Sequence, residues 1–371
     1  MYNIKKLFFY NHKFYLIMEE TTEEECLYAT FNQDSSCFCI GTKKGFRIYN
    51  SYPLRCLQKR DIDGGISVIE VLNRCNVLAL VGAGSNPKFN QNKVILWDDS
   101  QSKVINELIV RFYIKNLKLK RTKIFIIGES DIIVFTLGNY EKIDSINTCL
   151  NKSGIFGISL DPKITIIAYT STEVGKIKIK NYDEKKGDNY KMNEINAHQT
   201  EISALTMNYE GTLVASSSER GTIIKIFRTK DCALIQELRR GTEPAEIYCL
   251  AFDLKSQYIA CSSNKGTIHI FNIKKEGGQE VQNQKSVFGT VVSFLGIQNE
   301  YLNSEWSFAQ YRLTYKGKSM VAFNPDNNTS VIVVTEDGNY YQGEFKAKSG
   351  GECSTSLTKK YLSMEVEKDD D

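Results

Sequence analysis

Apolar residues in this chain recur mostly at every second position, over short runs that begin at a turn. Two runs are nearly identical. Gly221-Thr222-Ile223-Ile224-Lys225-Ile226-Phe227 follows Ser217-Ser218, and Gly266-Thr267-Ile268-His269-Ile270-Phe271 follows Ser262-Ser263. A period of two is the mark of a half-buried strand, and the glycine suits a tight hairpin turn. Weaker copies start at Gly45, Asn92, Asp131, Gly175 and Gly338. The steps between successive copies are 47, 39, 44, 46, 45 and 72 residues. Seven units of such length, with almost no 3.6-residue periodicity, predict an all-β, seven-bladed β-propeller of four-stranded blades, resembling WD40 architecture.

The long step predicts an insertion in the sixth blade, at about residues 274–304. It opens polar and then turns apolar at Phe288, Val291, Val292, Phe294 and Leu295. A long loop in a compact domain is usually functional or disordered, and an exposed apolar stretch is one a lone propeller would avoid. The rest divides into an N-terminal extension (1–26), the propeller (27–363) and an acidic tail (364–371) expected to be a solvated end.

Bulk composition adds limits. A formal charge of +3 over 371 residues implies no nucleic-acid partner, so basic function must be local. Tyrosines and phenylalanines follow strand alternation and do not cluster with basic residues, which reads as core packing over RNA binding. The ten cysteines form no Cys-x-x-Cys, and three histidines assemble no zinc-ligand spacing. Buried reduced thiols and a cytosolic compartment follow. No stretch approaches the ~20 apolar residues of a membrane span, and the apolar N-terminal run is broken by Asn11, His12 and Lys13. No catalytic motif is present, no cofactor or metal is implied, and a binding protein is the expectation.

The chemistry concentrates between the two best repeats, at Leu238-Arg239-Arg240-Gly241. Adjacent residues of a strand point to opposite faces, so Arg239 and Arg240 are placed to serve two grooves. Upstream stand His198, Ser216, Ser218, Thr222 and Lys225; downstream stand Ser262, Ser263, Thr267 and His269. Guanidinium forks, hydroxyls and turn amides suit phosphate, and Gly241 would let backbone approach a ligand. Arginines at a strand edge and hydroxyls at turns also have purely structural uses. A protein-interaction propeller without lipid affinity is therefore the competing reading.

These residues closely resemble the PROPPIN family, the WIPI-type propellers of autophagy, from about Leu27 to Met364. The Leu-Arg-Arg-Gly motif carries the likeness, supported by Phe31-Asn32-Gln33-Asp34, by Gly45 to Asn50, by Asn86 to Asp98 and by Ser304 to Phe308. The resemblance implies pockets for phosphatidylinositol 3-phosphate and phosphatidylinositol 3,5-bisphosphate on phagophore or endosomal membranes. Carried over by position, His198, Ser216, Ser218, Gly221, Thr222, Lys225 and Arg239 make the first pocket. Arg240, Gly241, Ser262, Ser263, Thr267 and His269 make the second. Lys225 departs from the Arg that family members often have, losing the fork. The insertion would be the family's membrane loop, and Asn32, Asp34 and residues 86–92 would meet a bridge-like lipid-transfer protein. Affinity should fall with salt, and also above the histidine pKa if His198 and His269 bind as cations.

Overall fold

The computed structural model describes residues 24–182, 193–274, 283 and 304–367, and the backbone of two further strands. Those two, β1 (Asn3–Tyr10) and β2 (Lys13–Glu19), pair with each other in a sheet of their own. Everything else is built from four-stranded antiparallel meanders. The first is β3 (Cys26–Phe31), β4 (Cys37–Thr42), β5 (Gly45–Asn50) and β6 (Arg55–Asp61). The second is β7 (Ile66–Val71), β8 (Val77–Gly82), β9 (Lys93–Asp98) and β10 (Lys103–Ile109). The third is β11 (Asn116–Leu119), β12 (Lys123–Ile127), β13 (Asp131–Thr136) and β14 (Lys142–Asn147). The fourth is β15 (Gly157–Ile158), β16 (Ile166–Thr170), β17 (Lys176–Asn181) and β18 (Asn193–Asn196).

The fifth comprises β19 (Ile202–Met207), β20 (Leu213–Ser218), β21 (Ile223–Arg228) and β22 (Leu234–Arg239). A short strand from later in the chain, β26 (Glu305–Trp306), adds to its outer edge in parallel. The sixth has β23 (Ile247–Phe252), β24 (Tyr258–Ser263), β25 (Thr267–Asn272) and β27 (Ala309–Arg312). The seventh has β28 (Ser319–Asn324), β29 (Asn327–Thr335), β30 (Asn339–Lys346) and β31 (Gly350–Lys360). A parallel pairing of β27 with β31 joins the last two meanders into one sheet.

Alternation dictates the packing. In β21, Ile224 and Ile226 point to the sixth meander, meeting Ile259, Cys261 and Phe271. Phe227, at odd parity, packs with Ile177 and Ile195 of the fourth. Each neighbouring pair of meanders shares such an apolar cluster, and the seventh closes on the first through Phe38, Tyr49, Tyr340 and Tyr361. Tyr340 donates to the Ser51 carbonyl at 2.8 Å, and Tyr49 to that of Tyr361 at 3.1 Å. The turn glycines are required where they stand. Gly221 has φ +58°, and a Cβ there would lie 1.8 Å from the Ala245 carbonyl oxygen.

One sequence expectation is refined and one changes. The start of the acidic tail is exposed yet held to the first meander: Val366 bridges Cys56 in parallel, Glu365 pairs with Lys59 and Glu367 with Arg55. Basic residues on β6 attract what looked in sequence like a polar terminus. All ten cysteines are free, but Cys75 is exposed because it sits in the turn between β7 and β8. Among the described residues no helix is long and apolar enough to cross a membrane.

Candidate functional site

β22 ends at Arg239, yet its pairing continues, since the Arg240 amide donates to the Thr222 carbonyl at 2.9 Å. The strand parity therefore extends through both arginines, and their side chains leave on opposite faces. Both are buried to 5% exposure, which is unusual for arginine and needs specific partners.

On the face toward the fourth meander, Ser216, Lys225 and Glu237 are register partners across β20, β21 and β22. His198 reaches in from the connection after β18, held by its amide on the Gly175 carbonyl at 3.0 Å. Its Nε2 lies 3.0 Å from the Ser216 hydroxyl. Lys225 pairs with Glu237 at 3.2 Å. Arg239 belongs to this face, one step beyond Glu237. Its Nε donates to the Ser304 hydroxyl at 2.9 Å, and the guanidinium lies 5.8 Å from the centre of the Trp306 ring. Ser218 ends β20 on the same face. Thr222 is buried beside the turn, tied to the site through its carbonyl.

The opposite face meets the sixth meander. Arg240 donates from Nε to the Gly221 carbonyl at 2.9 Å and from Nη2 to the Glu243 carbonyl. His269, Thr267 and Phe271 share one parity of β25, and Phe271 packs in the cluster between the fifth and sixth meanders. His269 thus faces Arg240. Its Nδ1 lies 3.3 Å from the Ser307 hydroxyl, which also accepts from Gln310 at 2.9 Å. Ser263, at the parity of Cys261, lies on this side, and its hydroxyl accepts from the Lys265 amide at 3.4 Å.

The histidines are neutral in this arrangement. Burial pushes His198 down to about 4, with Lys225 adding to the effect. Burial likewise pushes His269 down to about 4, with Arg240 contributing. The free protein therefore offers uncharged imidazoles at neutral pH, so binding as cations would require proton uptake.

Ser262 departs from the sequence reading, and the surroundings of Asn32, Asp34 and Gly241 sharpen it. Ser262 is not in the second pocket: at the parity opposite to Ser263, it is fully buried and donates to the Ser319 carbonyl at 2.8 Å. Asn32 is buried, accepting from the Cys37 amide at 3.0 Å and donating to the Asn73 carbonyl at 3.1 Å. Asp34 accepts from the Ser36 hydroxyl at 2.6 Å. Both are turn residues, and Asn32 offers no side chain to a partner. Gly241 lacks a positive φ, and a Cβ there would touch nothing, so the fold itself makes no demand for glycine. Phe288, Val291, Val292, Phe294 and Leu295 lie outside the described residues. Sequence reasoning gave no roles to Ser304, Trp306, Ser307 and Gln310. The match at Ser304 to Phe308 was the one signal that could have drawn attention there.

Residues 25–362 match the PROPPIN family model. The chain belongs to the PROPPIN family. Curated relatives include the autophagy-related protein 18e of Arabidopsis thaliana, 29% identical over 94% of this chain and 91% of that protein. The SVP1-like protein 2 of Neurospora crassa is 32% identical over 71% of this PROPPIN, a match spanning 59% of the relative. Among solved structures, Kluyveromyces lactis Hsv2 with its complete loop 6CD superposes at a TM-score of 0.75 with 21% identity, covering 91% of this chain and 99% of that one. KlAtg21, solved in complex with the coiled coil of AgAtg16, gives 0.70 at 22% identity with the same coverage. These likenesses fix the fold as that of PROPPIN propellers.

Proposed function

We propose that this PROPPIN is an autophagy effector that docks on membranes carrying phosphatidylinositol 3-phosphate or phosphatidylinositol 3,5-bisphosphate and recruits partner proteins there. The observation that carries the reading is the parity split of Arg239 and Arg240. Each arginine meets a different groove, and each groove holds one histidine bonded to a serine hydroxyl. Packing alone would not ask for a matched set on both sides of one strand. Each set has the donors for one phosphorylated headgroup. Two weak sites on one rigid body gain by effective concentration. The apolar half of the insertion would supply a third anchor at the headgroup–acyl boundary. The protein acts from the cytoplasm as a peripheral membrane protein with no catalytic step. A lipid-transfer protein contact at the first meanders would use exposed surface other than the Asn32 side chain.

Co-sedimentation with liposomes containing phosphatidylinositol 3-phosphate tests this. Wild type should pellet with these vesicles and not with vesicles lacking phosphoinositide, and Arg239→Thr plus Arg240→Thr should abolish it. Equal binding by both proteins, or none by either, would leave an interaction scaffold.

A further inference from the structure

β26 alternates like any strand. Ser304 and Trp306 turn to Arg239, whereas Glu305 turns to the other face, where Gln236 lies. There Glu305 is the hub of a buried polar cluster. Its Oε2 accepts from Gln236 Nε2 and from Asn283 Nδ2, each at 2.7 Å, and it pairs with Lys274. The Lys274 amide donates to Gln236 Oε1 at 3.0 Å. Asn283 also brackets Asn272, accepting from its amide at 2.8 Å and donating to its carbonyl at 2.9 Å. Gln236, Asn283 and Ser304 are all buried, and the Glu305 side chain is 13% exposed.

A two-residue parallel strand has too few ladder bonds to hold itself on a sheet edge. Hydrogen bonds to a carboxylate are roughly twice as strong as neutral ones, and those to Glu305 are shielded from water. What keeps β26 on β22 is therefore this cluster. The same strand carries the hydroxyl and the ring that orient Arg239. We infer that Glu305 and Asn283 form a positioning clamp that sets the Arg239 guanidinium for a phosphate headgroup. The inference rests on the headgroup reading of Arg239. It assigns the base of the sixth-meander insertion a role in the first pocket, apart from any contact with the bilayer.

Calorimetric titration with the water-soluble headgroup inositol 1,3-bisphosphate tests the clamp without a membrane. Glu305→Ala should weaken one of two sites about tenfold and leave the other unchanged. Glu305→Gln, which still offers an acceptor, should restore most of the loss. In an Arg239→Thr background Glu305→Ala should add nothing, because both act on one site. A merely structural role would show neither the rescue nor the non-additivity. Asn283→Ala removes the second partner while leaving every residue of β26 in place, and should lose several-fold at the same site, even if Glu305→Ala folds poorly. Wild-type binding that survives both substitutions would overturn the clamp alone. Absence of headgroup binding in wild type would overturn the reading of Arg239 and the clamp with it.

Discussion

The two arginines are consecutive in sequence and equally buried, yet they are held by different kinds of partner. Arg239 bonds a side-chain hydroxyl and lies near an indole, both supplied by a strand from elsewhere in the chain. Arg240 bonds two main-chain carbonyls, one in the Gly221 turn and one in the link to the sixth meander. The described partners of Arg239 are side chains, which can rotate away. The bonds of Arg240 staple two loops, so it carries a structural duty along with any ligand it binds. A double substitution merges these two effects, and single substitutions separate them.

The largest effect should come from Arg240→Thr. It leaves the buried Gly221 carbonyl short of a donor, at ~1–3 kcal/mol, and loses the more exposed bond to Glu243, at ~1 kcal/mol, so urea unfolding should show a loss on the order of 2–4 kcal/mol. Arg239→Thr should cost less, about 1–2 kcal/mol, because the Ser304 hydroxyl and the Trp306 ring it leaves behind are side chains that can repack. Equal losses would erase the distinction. Next, replacing residues 284–303 by a short Gly/Ser linker keeps Asn283 and Glu305. Headgroup titration should be unchanged, while vesicle binding should drop about tenfold, or ~1.4 kcal/mol, if the apolar segment inserts.

The pH response follows from the neutral histidines. The unfolded chain protonates near the ordinary value of 6.5, before the folded groups do at about 4. Stability contributed by His198 and His269 is thus fully present above pH ~6.5 and is lost as pH falls toward 4. Thermal unfolding of the ligand-free protein should show the midpoint falling over that window. A bound phosphate favours imidazolium, so binding takes up protons and headgroup affinity should rise several-fold from pH 7 to 5.5. Affinity flat across that range would remove the histidines from the sites. The smallest effect is Lys225→Arg. A fork beside Ser216, still paired with Glu237, should strengthen the first site about twofold by calorimetry and leave the second alone.

Much of this was legible in sequence because it depends on parity. The period of two gave the strands, and the same rule sent Arg239 and Arg240 to separate grooves. Ser262 was legible too: the parity that admits Ser263 excludes its neighbour, and reading the pair as a unit hid this. Other features depend on what meets across the fold. A two-residue strand such as β26 has no period to detect, and its partner lies more than sixty residues earlier. The charge state of His198 and His269 is set by burial and by Lys225 and Arg240, which strand spacing does not report. The tail at Glu365 to Glu367 is ordered by Arg55 and Lys59, three hundred residues away.

The way the ring closes has a consequence for the order of folding. Six of the meanders use four strands consecutive in the chain and the sixth skips only β26, which adds to the fifth; among the described strands none is lent across the seam between the seventh and the first. Among the described residues the main-chain link at that seam is one bridge, Val366 to Cys56, beside aromatic packing and tyrosine hydrogen bonds. Contacts are therefore local until the last step, and the units can form in succession as the chain is synthesised. Until Tyr340 and Tyr361 arrive, Phe38, Ile40 and Tyr49 have no cover on that side. A nascent or truncated chain lacking the seventh meander is an open ring with a sticky edge, a natural client for chaperones.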